Sequence, residues 1–258
     1  MRILALLSLL MLSPALQAFG TTGHALVCDL AYQLMQSSTR DAIKEILSDS
    51  PKQQFSASCS WADEVREDKT FAFSSPWHYV NFSNNANSLS AADCPKKGCI
   101  LSAITQMRQR LSENKQDWQA LLFLAHFIGD LHQPLHVSYA DDLGGNRTAV
   151  YFYGEPSNLH GVWDYSLLKQ AGYDDDATKG AALLQSITDE QRQSWRQGTP
   201  LDWAQGSAAI TTEIYRNYKA GMLIDEHYQQ QQLPVLEQRI QQASVRLAWL
   251  LDTLLGTH

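Results

Sequence analysis

The amino-acid sequence predicts an all-α fold: a single compact multi-helix domain with one small β-hairpin or long loop. Two observations carry that expectation. Apolar residues recur at spacings of three and four through most of the chain, the periodicity of helices with one face inward. No Pro/Gly/Ser-rich linker or internal repeat divides the sequence, and 258 residues suffice for one sizeable core.

Residues 1–18 read as a secretory signal peptide. Arg2 is its positive end, Ile3–Leu12 its apolar run, and Leu16-Gln17-Ala18 its small-residue cleavage site. The run is too short to span a bilayer, and no later stretch qualifies. Residues 19–258 are therefore expected to form one exported domain, secreted or periplasmic, with no membrane or protein partner, and monomeric. Its helices follow in order. His24–Met35 carries Leu26, Val27, Leu30, Ala31 and Leu34 at helical spacing, and Ser38–Asp49 carries Ile43, Ile46 and Leu47 behind a Ser38 or Thr39 cap. Ser58–Glu67 is expected as a helix packing Trp61 and Val65. Pro76 predicts an extended entry to His78, and Asn84–Asp93 a polar surface loop. Ile100–Leu111 and Gln116–His132 are amphipathic helices. Val137–Tyr153 alternates around Gly144-Gly145-Asn146 and is the sole β element expected, a hairpin or long turn. A helix starts near Asn158, a good cap; Asp202–Glu226 is one long helix, and a last one follows Pro234.

The stretch Ala125–Val137 organises the rest. His126 and Asp130, four apart on a helix, project from one face. Pro134 disfavours helix at Gln133 and leaves His136 on the exit turn. Imidazole and carboxylate converging there are what a zinc ion needs. His132, two residues beyond Asp130, faces away. The His-x3-Asp spacing recurs at His160 and Asp164. With His24, Asp63 and His78, the ligand-type residues exceed what one tetrahedral ion takes, and they suit two or three ions sharing a carboxylate.

The formal charge is −7. Losing Arg2 leaves 19 basic against 27 acidic side chains, a balance of −8. That excludes a broad basic duplex-binding face, though not an anionic substrate drawn to bound metal. Four cysteines in an exported chain predict two disulfides. Of three possible pairings, Cys94–Cys99 with Cys28–Cys59 is preferred, because Cys94-Pro95-Lys96-Lys97-Gly98-Cys99 encloses a turn.

Six motifs, in order, resemble one family. They are G-x-x-G-H (Gly20–His24), W-A-D-x-x-R (Trp61–Arg66), W-H-Y-V-N (Trp77–Asn81), H-x-x-x-D-x-H-Q-P-L-H (His126–His136), G-G-N (Gly144–Asn146) and N-L-H-x-x-W-D (Asn158–Asp164). Together they resemble the zinc-dependent, single-strand-specific nucleases of the S-one/P-one type, the type I nucleases. The resemblance implies three Zn²⁺ ions: one on Asp63, His78, His126 and Asp130, a second on His136, His160 and Asp164. The third would sit on the Phe19 amine and carbonyl with His24 and bridging Asp130. Phe19 stands where the family usually has Trp, but the donors there are backbone atoms. The resemblance also implies catalytic roles for Asp63 and Arg66, base stacking on Tyr79 and base contacts from Asn81 and Asn146. Cys94–Cys99 matches a family disulfide loop; the family's second disulfide is placed differently. The implied activity is hydrolysis of single-stranded DNA and RNA, and of 3′-mononucleotides, to 5′-phosphorylated products by metal-hydroxide attack. Two other readings share the ligands: a zinc-dependent phospholipase C, where the last ligand is usually Glu rather than Asp164, and a zinc-binding protein without catalysis, which leaves Arg66, Tyr79 and Asn81 unexplained.

Overall fold

The computed structural model describes residues 19–83 and 88–256. Segment 1–18, expected as a signal peptide, residues 84–87 of the expected polar loop, and residues 257–258 lie outside the described residues.

The fold is all-α, as expected, and is built around the helix Trp118–His132. Every residue from Ala120 to His132 is buried. A helix apolar on all sides must be wrapped by others. Ile100–Glu113, Pro200–Asn217 and the C-terminal helix Glu226–Leu255 do so, with the N-terminal helix Gly20–Leu34 against one end. Asp117 caps the central helix by accepting from the Ala120 amide at 3.0 Å, and Arg110 clamps the same carboxylate from the preceding helix at 2.8 and 2.9 Å. The helix ends at Gln133, whose ψ of 116° is what Pro134 demands. Termination orphans carbonyls, and other helices satisfy them. Ser207 donates to Leu131, Arg239 to His132, and Thr211 to Pro134 and Val137. The exit turn that carries His136 is thus pinned from two sides.

The β structure corrects the single-hairpin expectation. Val137–Tyr139 (β2) pairs with Val80–Phe82 (β1), in parallel and 57 residues away, with Val80 opposite Val137. The hairpin is Ala149–Phe152 (β3) against Glu155–Asn158 (β4), closed at Tyr153-Gly154, both at positive φ as a tight hairpin turn requires. Leu223–Ile224 (β5) adds a parallel strand to β3. The expected return strand is therefore present with a different partner.

Five local expectations change as well. Ser58–Glu67 breaks into two four-residue helices, Phe55–Ser58 and Trp61–Glu64. Pro76 lies inside a 3-10 helix, Ala72–His78, because its fixed φ suits that geometry; extended backbone begins at Tyr79. The helix expected to reach Glu226 stops at Asn217, ahead of Gly221 at φ 67°. The last helix runs through Pro234 from an Asp225 cap. The roughly 3 kcal/mol that an interior proline costs is offset by packing on both sides of it. Ser37–Ser48 is preceded by Gln36 rather than capped by Ser38 or Thr39, and the Gln36 amide donates to Asp252 at 3.0 Å. Both preferred disulfides, Cys28–Cys59 and Cys94–Cys99, are present. Among the described residues no helix is long and apolar enough to cross a membrane.

Candidate metal centre

The last two turns of the central helix supply His126 and Asp130, one above the other and both fully buried. The parallel β1–β2 pair brings His78 and His136, each just ahead of its strand, to the same end, where the His136 Nδ1–H donates to the His78 carbonyl at 2.7 Å. The β3–β4 hairpin leads into His160, and Asn158 caps the turn as expected by accepting from the Gly161 amide at 2.8 Å. Asp164 follows one turn later and places Oδ2 3.0 Å from His160 Nε2.

Backbone carbonyls orient three of the imidazoles. The Nδ1–H groups of His126, His136 and His160 donate to Cys59, His78 and Gly144, each at 2.7 Å. That fixes the tautomer and turns each Nε2 lone pair into the cleft, as ligand histidines require. The Cys28–Cys59 disulfide anchors the first of these carbonyls. Gly144, at φ 65°, is needed for the third: a Cβ there would meet the Leu135 carbonyl at 2.4 Å.

Three trios result, each with ligand atoms within 4.8 Å of one another: His24, His126 and Asp130; Asp63, His78 and His126; His136, His160 and Asp164. His126 Nε2 lies 3.1 Å from Asp130 Oδ2 and 3.7 Å from Asp63 Oδ1, and His78 Nδ1 lies 3.0 and 3.6 Å from the same two oxygens. His24 stacks on His126 with ring centres 3.9 Å apart, its Nε2 3.2 Å from Asp130 Oδ1. Phe19 is fully buried, and its nitrogen lies 3.4 Å from Asp164 Oδ1.

These groups fit divalent cations. Asp63 Oδ1, Asp130 Oδ1, His78 Nε2, His136 Nε2 and His24 Nε2 are all buried without a hydrogen-bond partner. Each such atom costs on the order of 2–7 kcal/mol unless something pairs with it. Burial pushes the Asp63 carboxyl up to about 7 against the pull of His126 and Arg66. Burial also drives the imidazoles of His24 down to about 4 and His78 down to about 3. For Asp130, burial is outweighed by His126 and His136, which hold its carboxyl well below the usual range. Asp130 and Asp164, by contrast, hold the His136 imidazole up to about 9 against its burial. Imidazoles and carboxylates, with no thiolate, form a zinc-type donor set.

The cluster floors a cavity of about 160 Å³ lined by Arg66, Tyr79, Asn81 and Asn146 together with His78, His136 and His160. Every residue expected to contact substrate is in it. Arg66 lies 3.9 Å from Asp63, and Asn146 donates to the Leu143 carbonyl at 2.8 Å. His132 points away, as expected: it donates to Ile128 and accepts from Arg246 at 2.6 Å. Leu135 and Leu143 in the cavity wall escaped the sequence reading, since an apolar lining residue carries no sequence signal. So did the carbonyls of Cys59 and Gly144, because any residue type supplies one.

A family model described as S1/P1 Nuclease matches residues 19–256. The chain is 33% identical to Endonuclease 2 of Arabidopsis thaliana, over 96% of this chain and 94% of the relative. It is 29% identical to Nuclease S1 of Aspergillus oryzae, over 91% of each, and 29% identical to Nuclease P1 of Penicillium citrinum, over 93% of this chain and 99% of the relative. With a match of that extent laid over one continuous His/Asp cleft, the chain belongs to the S1/P1 nuclease family.

Proposed function

We propose that this protein is an exported, monomeric, trinuclear-zinc endonuclease and 3′-nucleotidase that hydrolyses single-stranded DNA and RNA to 5′-phosphorylated products. One observation carries the reading: three adjoining buried His/Asp clusters hold donor atoms without a hydrogen-bond partner, and two of them reach the cleft of Arg66 and Tyr79 through His78, His136 and His160. Asp63, His78, His126 and Asp130 would hold the first ion, and His136, His160 and Asp164 the second. The Phe19 amine and carbonyl, His24 and Asp130 would hold the third. Bound zinc supplies Lewis acidity and an acidified water, and three ions against three carboxylates leave roughly +3 beside the cleft of an acidic protein.

The chain's own residues do the rest. Arg66 grips the non-bridging phosphate oxygens in a fork as charge builds on them. Asp63 orients the attacking water through its carboxylate. Tyr79 stacks the base, an interaction worth about 1–3 kcal/mol that tolerates any base. Asn81 and Asn146 offer amide donors and acceptors to the base edge. A base must leave its neighbours to reach Tyr79, which favours single strands. Cleavage after Ala18 gives Phe19 a free amine; a peptide nitrogen there has no lone pair to offer a cation.

The test uses purified 19–258 against single-stranded DNA, RNA, 3′-AMP and phosphatidylcholine, with and without chelator. Chelator-sensitive cleavage of the first three is expected. Turnover of phosphatidylcholine alone, or of nothing, overturns the proposal.

A further inference from the structure

Gln133 belongs to the H-Q-P-L-H motif, yet neither the metal ligands nor the substrate contacts account for it. Its side chain is fully buried. The Nε2 amide donates to Asp164 Oδ1, and the Oε1 accepts from the Leu135 amide, inside the turn that carries His136. Its backbone joins the same network: the Gln133 amide donates to the Asp130 carbonyl at 3.0 Å, and its carbonyl accepts from the His136 amide at 3.1 Å. One residue thus ties together the end of the central helix, the His136 turn and a carboxylate 31 positions further along.

We infer that Gln133 is a positioning residue that sets which oxygen of Asp164 is offered to a cation. Asp164 has two oxygens with different surroundings. Oδ2 faces His160 Nε2 at 3.0 Å, whereas Oδ1 is occupied by the Gln133 amide, with the Phe19 nitrogen 3.4 Å and His136 Nε2 3.7 Å away. A carboxylate held by an amide on one oxygen cannot rotate freely, so Oδ2 stays aimed at the space it shares with His160. Orienting partners of this kind typically change metal affinity by about 10- to 100-fold when removed. The inference rests on the proposed metal centre.

Gln133→Glu is the sharpest test. It keeps size and the acceptor for the Leu135 amide, and replaces the donor facing Asp164 with a repelling oxygen. Zinc content and competition titrations against a chromophoric chelator would be measured on 19–258, with thermal unfolding of the chelator-stripped protein alongside. Expected is a loss of about 10- to 100-fold in affinity for one ion, with the other ions unchanged; the metal-free unfolding curve checks that the variant is folded. Should the charge prevent folding, Gln133→Leu, which carries none, must weaken the same single ion. Wild-type affinity for every ion in either folded variant overturns the inference, as does uniform weakening of all of them. A wild-type chain that binds no ion would overturn the functional proposal itself, which separates the two failures.

Discussion

Gly129 sits inside the buried central helix, where alanine would ordinarily be the better helix former by about 0.8–1.0 kcal/mol. Gly129→Ala should nonetheless fail to stabilise the protein. A Cβ there would meet His24 Nδ1 at 2.8 Å and Cε1 at 3.1 Å, inside ordinary contact distance. His24 has little room to retreat: it is 1% exposed, and its ring is stacked 3.9 Å from His126. Overpacking of this kind costs about 1–3 kcal/mol, so the net effect should be a destabilisation of roughly 0–2 kcal/mol in the metal-free chain. The larger consequence is functional, because the displaced ring moves off Asp130, and the ion that both would hold is bound more weakly. Denaturant unfolding of chelator-treated protein and a zinc titration read the two effects separately. A variant about 1 kcal/mol more stable than wild type, with unchanged metal binding, would refute this reasoning.

Removing the metal should abolish hydrolysis and lower the unfolding temperature; restoring zinc to 100 times its dissociation constant should recover about 2.7 kcal/mol per site. Ligand imidazoles bind metal only when unprotonated, and burial holds His24 and His78 down to about 4 and 3, so the ions they hold should leave, and activity fall with them, only as the pH drops toward those values. Arg66→Lys keeps the charge but loses the fork, and kcat/KM should fall about 10²-fold with the melting curve unchanged. Tyr79→Ala should weaken substrate binding by about 1–3 kcal/mol, seen in KM, whereas Tyr79→Phe should retain stacking. The Cys28→Ser/Cys59→Ser pair should cost about 2–4 kcal/mol in denaturant unfolding, since the bridge closes a loop of 31 residues.

Sequence legibility tracked how local the cause was. His126 and Asp130, four apart, share a face through helix geometry alone, and Pro134 announces its own helix end; both held. The Asn158 cap held for the same reason. The misreadings arose where distant chain decided. Val137–Tyr139 looked like half of a local hairpin, yet its hydrogen bonds go to Val80–Phe82. Pro234 looked like a helix start, yet packing carries the helix straight through it.

The sequence by itself determined the donor inventory, the all-helical architecture and the family, because residue chemistry, helical period and motif order are properties of the chain read in one dimension. Only the tertiary structure decided that His78 and His136 stand side by side, that carbonyls of Cys59, His78 and Gly144 aim the imidazoles, and that Gln133 reaches Asp164. Those contacts join positions 16 to 67 residues apart, and their partners are mostly backbone atoms common to every residue. No spacing rule records them; the packing of the helices around one buried core does.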